Sequence, residues 1–292
     1  MLLLALVIAL TGCSDNVESV GQDGMGRLKV SLTDAPFPYD LVAEANVTVF
    51  KVEIREVRDE NEDENEDENE NENNEDENGG SPFITLMEEE IDVNLLDLTN
   101  GVTQQLADLE VPAGSYDLVR VYVKGVNVVL TDGSVHHLKV PSGAQTGIKV
   151  FIDPAITVAG GISADLLLDF DISRSFIAKG NINSPAGIRG FNFKPVIKAS
   201  NLSTAGTLMG NVSTLENDMA VAIEGAQISV IAADTLNTTA FTDGSGNYTI
   251  MGLTAGSYKI LAEAEGFIAS DSTDVQIEVA NKSVLDFVLD AE

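Results

Sequence analysis

Apolar and polar residues alternate with a period of two along most of this chain, and that limits what it can fold into. Leu28, Val30 and Leu32 alternate with Lys29, Ser31 and Thr33. Phe50, Val52 and Ile54 alternate with Lys51, Glu53 and Arg55, and Val119, Val121 and Val123 with Arg120, Tyr122 and Lys124. Leu166, Leu168, Phe170 and Ile172 alternate with Asp165, Asp169 and Asp171, and Leu167 is the one apolar residue out of phase. Successive side chains of a strand point to opposite faces, so each run predicts a strand with one buried face. No stretch of the body carries a helical stripe. Turn signals separate the runs: Asp34-Ala35-Pro36, Asn100-Gly101, Pro112-Ala113-Gly114, Thr131-Asp132-Gly133, Pro141-Ser142-Gly143 and Gly160-Gly161. Many short strands with frequent turns predict an all-β chain built as antiparallel sandwiches or barrels.

The charge balance narrows the function classes. The 292 residues hold 47 Asp and Glu against 16 Lys and Arg, a net charge of −31. Nucleic acid is not an expected partner, because phosphate binding needs Lys and Arg to replace counterions. There is no polybasic cluster to dock on anionic lipid. Thirteen of the acids lie between Asp59 and Asn78, in degenerate Asn-Glu-Asp-Glu repeats with no apolar residue. Such a tract cannot bury surface to offset ordering entropy, so residues 59–80 are predicted to form a disordered acidic loop. The tract sits between a strand ending near Arg58 and one around Phe83-Ile84-Thr85-Leu86, at a hairpin tip where insertions are tolerated. It lacks the glycine and Asp spacing of an EF-hand, and a low-affinity sponge for divalent cations is the functional alternative to a plain solvated loop. Without the tract the body still has 34 acids against 16 bases.

The counts of reactive residues exclude most site chemistry. Trp is absent, so no cleft is built on Trp stacking, and one cysteine forbids an intramolecular disulfide. The cysteine is Cys13. It follows the apolar run Leu2 to Leu10, too short to span a bilayer but fitting the core of an export signal. Leu10-Thr11-Gly12-Cys13 resembles a bacterial lipobox, which implies that Cys13 is acylated and becomes the N-terminus. No Lys or Arg precedes the run, which departs from the usual basic start and leaves an upstream start open. The reading is a signal over 1–12, a lipid anchor on Cys13 and a polar tether over 13–25, with the outer membrane or cell surface as the destination.

Site candidates in the body are weak. His136 and His137 are adjacent on a predicted strand, so they face opposite ways and cannot chelate one metal together. Asp34, Asp97, Asp132, Asp153, Asp169 and Asp171 lie near strand ends. Asp169 and Asp171 share one face of one strand and are the weak calcium candidates, with a solvated acidic face as the ordinary reading. Ser31, Ser134 and Ser142 lack a nucleophile-elbow context. No metal or cofactor is expected, and an acid-pair hydrolase is the least favoured reading, since nothing selects a pair.

Several segments resemble the domain of unknown function 4382 family of secreted proteins. They are residues 28–36 (Leu-Lys-Val-Ser-Leu-Thr-Asp-Ala-Pro), 94–101, 111–116 (Val-Pro-Ala-Gly-Ser-Tyr), 137–149, 165–171 and 194–197. The resemblance covers about 26–199 and implies a β-sandwich on a lipoprotein, with no chemistry attached. Residues 205–292 resemble the carboxypeptidase regulatory-like family, a seven-stranded transthyretin-like sandwich often grouped with carbohydrate-binding-like folds. Its marks are Phe241-Thr242-Asp243-Gly244-Ser245-Gly246-Asn247-Tyr248, Gly252-Leu253-Thr254-Ala255-Gly256-Ser257-Tyr258 and Ala264-Glu265-Gly266-Phe267. Asp243-Gly244-Ser245-Gly246 reads as a tight hairpin turn, and Tyr248 and Tyr258 read as core residues that could otherwise stack a sugar. The expectation is two β-sandwiches in tandem, Ig-like or transthyretin-like, over 26–200 and 205–292. The chain is expected to be no enzyme but a structural, adhesion or interaction protein. Its expected partners are the membrane, through its anchor, and a glycan or another surface protein. Polysaccharide capture is the alternative role.

Overall fold

The computed structural model describes residues 24–35, 41–57, 81–140 and 145–292. The expected signal, Cys13, the tether up to residue 23, the acidic tract and the Pro141-Ser142-Gly143 turn lie outside the described residues.

The first unit contains β1 (Met25–Ala35), β2 (Val42–Glu56), β3 (Phe83–Met87), β4 (Ile91–Asn94), β5 (Gln104–Pro112) and β6 (Gly114–Leu130). It continues with β7 (Val135–His137), β8 (Ile148–Val158), β9 (Ser163–Asp171), β10 (Phe176–Gly180), β11 (Ile188–Phe193) and β12 (Ile197–Asn201). One sheet has the order β12-β9-β1-β5. A second is built on β2 and β6, with β3 and β4 beside β2 and with β7 and β8 beside β6, and β10 and β11 form a separate two-stranded sheet. All three sheets feed one core, in which the predicted alternation places Leu28, Val30 and Leu32, Val52 and Ile54, Val119, Val121 and Val123, and Leu166, Leu168 and Phe170. Arg55 of β2 pairs with Phe83 of β3, so the flanks of the acidic tract form the expected hairpin.

Two features depart from simple alternation. Val47 and Val49 are buried, and so are Val52 and Ile54, because the register against β6 shifts between Val49 and Lys51. A bulge adds one residue and turns the strand over. Phe50, expected on the core face, therefore stands outside it, with its ring tilted against Tyr122 at 6.0 Å. The pairing is also not wholly antiparallel as expected. β1 and β9 run parallel, Leu28 opposite Ala164 and Asp34 opposite Phe170. A parallel pair needs a long connection, and here the chain passes through the other sheet before Gly160-Gly161 return it.

The second unit contains β13 (Gly206–Glu216), β14 (Met219–Ala222), β15 (Gln227–Ala232), β16 (Thr235–Phe241) and β17 (Asn247–Leu253). It ends with β18 (Gly256–Glu263), β19 (Thr273–Ile277), β20 (Lys282–Val284) and β21 (Phe287–Val288). The sheet β14-β13-β17 carries β20 and β21 parallel to β13, and the sheet β16-β15-β18-β19 faces it. Tyr248, Ile250, Tyr258 and Ile260 fill a core separate from the first. The Asp243 turn is tight, with Asp243 Oδ1 accepting from the amides of Ser245 and Asn247 at 2.8 and 2.9 Å. It is not the expected hairpin, because β16 and β17 belong to different sheets.

Each unit has one corner built from the same four residues. Ala113-Gly114-Ser115-Tyr116 carries the chain from β5 to β6, and Ala255-Gly256-Ser257-Tyr258 from β17 to β18, each time from one sheet to the other. The Tyr116 hydroxyl donates to the Pro112 carbonyl at 2.7 Å, and the Tyr258 hydroxyl to the Thr254 carbonyl at 2.8 Å. In each corner the hydroxyl ties the start of one strand back to the carbonyl four residues earlier.

Candidate functional site

The outer face of the β12-β9-β1-β5 sheet carries the acidic pair. Asp169 stands directly across from Lys198 on β12 and from Thr33 on β1. This is not the solvated face the alternation suggested. The second unit packs here: the Ser200 hydroxyl donates to the Gly252 carbonyl at 2.9 Å, and the Lys198 ammonium donates to the Asn237 carbonyl. Leu167, out of phase in the sequence, is 1% exposed and outside both cores. A Cβ built on Gly252 would lie 3.3 Å from its side chain. The irregular leucine thus marks the junction of the two units.

Burial at this junction raises the Asp169 carboxyl to about 6, with Lys198 opposing the rise and Asp171 adding to it. The Lys198 ammonium is lowered by the same burial, against the pull of Asp169. Asp171 behaves differently. It caps the single helical turn α1 (Ile172–Ser175), accepting from the Ser173 hydroxyl at 2.7 Å and from the Arg174 amide at 3.0 Å. Arg174 Nε lies 2.5 Å from its other oxygen. Burial pushes the Asp171 carboxyl up, but these donors outweigh it and hold the carboxyl below its ordinary value. Among the described residues, no three Asp, Glu, His or Cys side chains converge as metal ligands.

Beside the junction runs a groove with about 380 Å³ of free space. One wall is the outward row of β8, Lys149, Phe151 and Asp153, and the other includes Asn237 and Thr254 of the second unit. Phe151 is 68% exposed. Sequence reading named Asp153 alone of this row. The signal for the rest was a phenylalanine between two charged residues on the polar side of an alternating strand.

Of the remaining candidates, Asp34 lines one small cavity of about 20 Å³ with Asp169, and the others do not assemble. Ser134 donates its hydroxyl to Asp132 at 2.6 Å rather than to an imidazole, which makes an Asx-type turn and not a nucleophile with its base. That hydroxyl and the Ser134 amide hold the Asp132 carboxyl low. His136 stands edge-on to Phe191 at 5.7 Å, while His137 is exposed on the other side of β7. Asp34 Oδ1 accepts from the Ile172 amide, Asp97 is exposed, and Ser31 is half-buried on β1. Tyr248 and Tyr258 are 1% and 7% exposed, and Tyr258 borders the groove with its ring buried in the core. Burial raises the phenol of each.

Two family models match the chain. Residues 25–195 match the domain of unknown function (DUF4382), and residues 207–290 match the carboxypeptidase regulatory-like domain. No curated protein matches. Among solved structures, the minor pilin GBS52 of Streptococcus agalactiae is 10% identical, with 90% of this chain and 96% of that one covered, at a TM-score of 0.28. The shaft pilin SpaA of Lactobacillus rhamnosus GG is 10% identical, with 92% and 98% covered, at 0.29. Superpositions of that quality establish no common arrangement, and nothing about this chain rests on them.

Proposed function

The chain belongs to the DUF4382 family, with a carboxypeptidase regulatory-like domain after it, and from that premise we propose an exported, lipid-anchored, non-catalytic protein with a structural or interaction role at the cell surface. The observation that carries the anchor is the one cysteine of the chain, placed in Leu10-Thr11-Gly12-Cys13 behind an apolar run. Among the described residues no helix is long and apolar enough to cross a membrane. The non-catalytic reading draws on how the polar groups are used. Asp171 caps a turn, Tyr122 donates to Glu53 at 2.7 Å, and the corner tyrosines bond backbone. An acid-pair hydrolase needs two carboxylates across one cleft; the groove carries Asp153 alone, and the cavity that Asp34 and Asp169 share, about 20 Å³, has no room for a sugar ring. The partners are the membrane and a glycan or second surface protein, with no cofactor.

The test is Cys13→Ser in the full chain, followed by membrane fractionation. Release into the soluble fraction is expected, and unchanged partitioning would overturn lipidation. A second reading, capture of polysaccharide, is favoured by the exposed Phe151 in a polar groove.

A further inference from the structure

We infer that the groove between the two units is a saccharide-binding site with Phe151 as its stacking platform, an inference that rests on the polysaccharide reading and gives it an address. Val150 and Ile152 are 2% and 4% exposed, so the core fixes the direction of β8 and forces Lys149, Phe151 and Asp153 outward in one row. Phe151 cannot turn away without breaking that packing. A ring left in water forgoes about 2 kcal/mol of burial, and a bound ligand would recover part of it.

The surroundings narrow the ligand class. Lys149 and Asp153 sit two positions either side of Phe151, roughly 7 Å away along the strand, which is the scale of one pyranose ring. They offer a donor and an acceptor at the two edges of the ring face. Asn237 supplies an amide and Thr254 a hydroxyl from the facing wall. Lys198 and Ser200 already donate to carbonyls of the second unit, so they hold the wall in place. One exposed ring among short polar groups suits a ligand with an apolar face and hydroxyl edges, which is a sugar and not a lipid. The groove holds Lys149 and Asp153 together with Lys198, whose ammonium is already given to the Asn237 carbonyl, in a chain at −31, so a neutral glycan fits better than an anionic one. The free space lies within the range of small-ligand sites, roughly 300–1,000 Å³.

The experiment uses the full chain carrying Cys13→Ser for solubility, run through native gels containing neutral glucans, xylan or galactomannan. At least one polysaccharide is expected to retard it. In the same chain, Phe151→Ala should weaken the apparent Kd by about tenfold, and Asn237→Ala by less. Ile268→Ala removes a side chain that is 57% exposed outside the groove and should change nothing. Retardation that survives Phe151→Ala intact would overturn the groove while leaving the polysaccharide reading standing. No retardation by any polysaccharide would end both. A melting temperature for each variant within that of the parent separates lost binding from lost folding.

Discussion

The two Ala-Gly-Ser-Tyr corners have the same sequence and make the same hydrogen bond, yet they sit in different surroundings. In the first unit a Cβ on Gly114 would run into the Glu56 carboxylate, the Ala113 amide donates to the Gly24 carbonyl at 2.8 Å, and Tyr116 is fully buried. In the second, nothing lies within 4 Å of a Cβ on Gly256, and Tyr258 keeps 7% of its surface. Burial, with a smaller push from Glu56, raises the Tyr116 phenol to about 12. The corner is therefore a local solution that four residues specify in either setting. How much stability hangs on it depends on what is packed around it.

The largest expected effect tests that difference. Tyr116→Ala should cost about 3–5 kcal/mol as a large core deletion, and Tyr258→Ala less. Because the two cores are separate clusters, calorimetry should show each change moving a different unfolding transition. Equal shifts of a single transition would show that the units unfold as one. The next effect concerns the polar junction. The folded Asp169 carboxyl titrates near 6, above the ordinary 3.8. A raised folded value means the native state holds the proton more tightly than the unfolded one. The stabilisation is fully present below about pH 4 and is lost as pH rises through about 6, about 2 kcal/mol once residual solvent access is discounted. Asp169→Asn should remove that difference, read as melting temperatures of the two proteins from pH 4 to 7. Parallel curves would refute it. The smallest effect compares the corners on equal terms. Tyr116→Phe and Tyr258→Phe each strand one carbonyl and should each cost about 1 kcal/mol. A twofold inequality in denaturant midpoints would mean that the two hydrogen bonds are not equivalent.

Much of the fold could be read from the sequence, because alternation is imposed by the pleat and turns by Gly, Asn and Asp. The inward residues of β1, β6 and β9 fell where the pattern placed them. Phe50 did not, because a bulge at Val49 reverses the face without any local composition mark. The parallel β1–β9 pair was invisible for another reason: pairing partners far apart in sequence leave no period behind. At the site, the shared face of Asp169 and Asp171 was legible, but its burial was not, since the covering surface belongs to the second unit. Leu167 carried that information in plain view as an alternation error. Phe151 carried the converse, an aromatic ring on a face that should have been polar.

The placement of β1 has a mechanical consequence. The strand lies between β5 and β9, and its first residue, Met25, follows directly on the segment that leads back to Cys13. The Leu202 amide donates to the Asp165 carbonyl, so β12 leaves the sheet for the second unit at the same end at which β1 enters it. A pull between Met25 and the second unit therefore runs across the strands and loads the ladders one hydrogen bond after another, and not in shear.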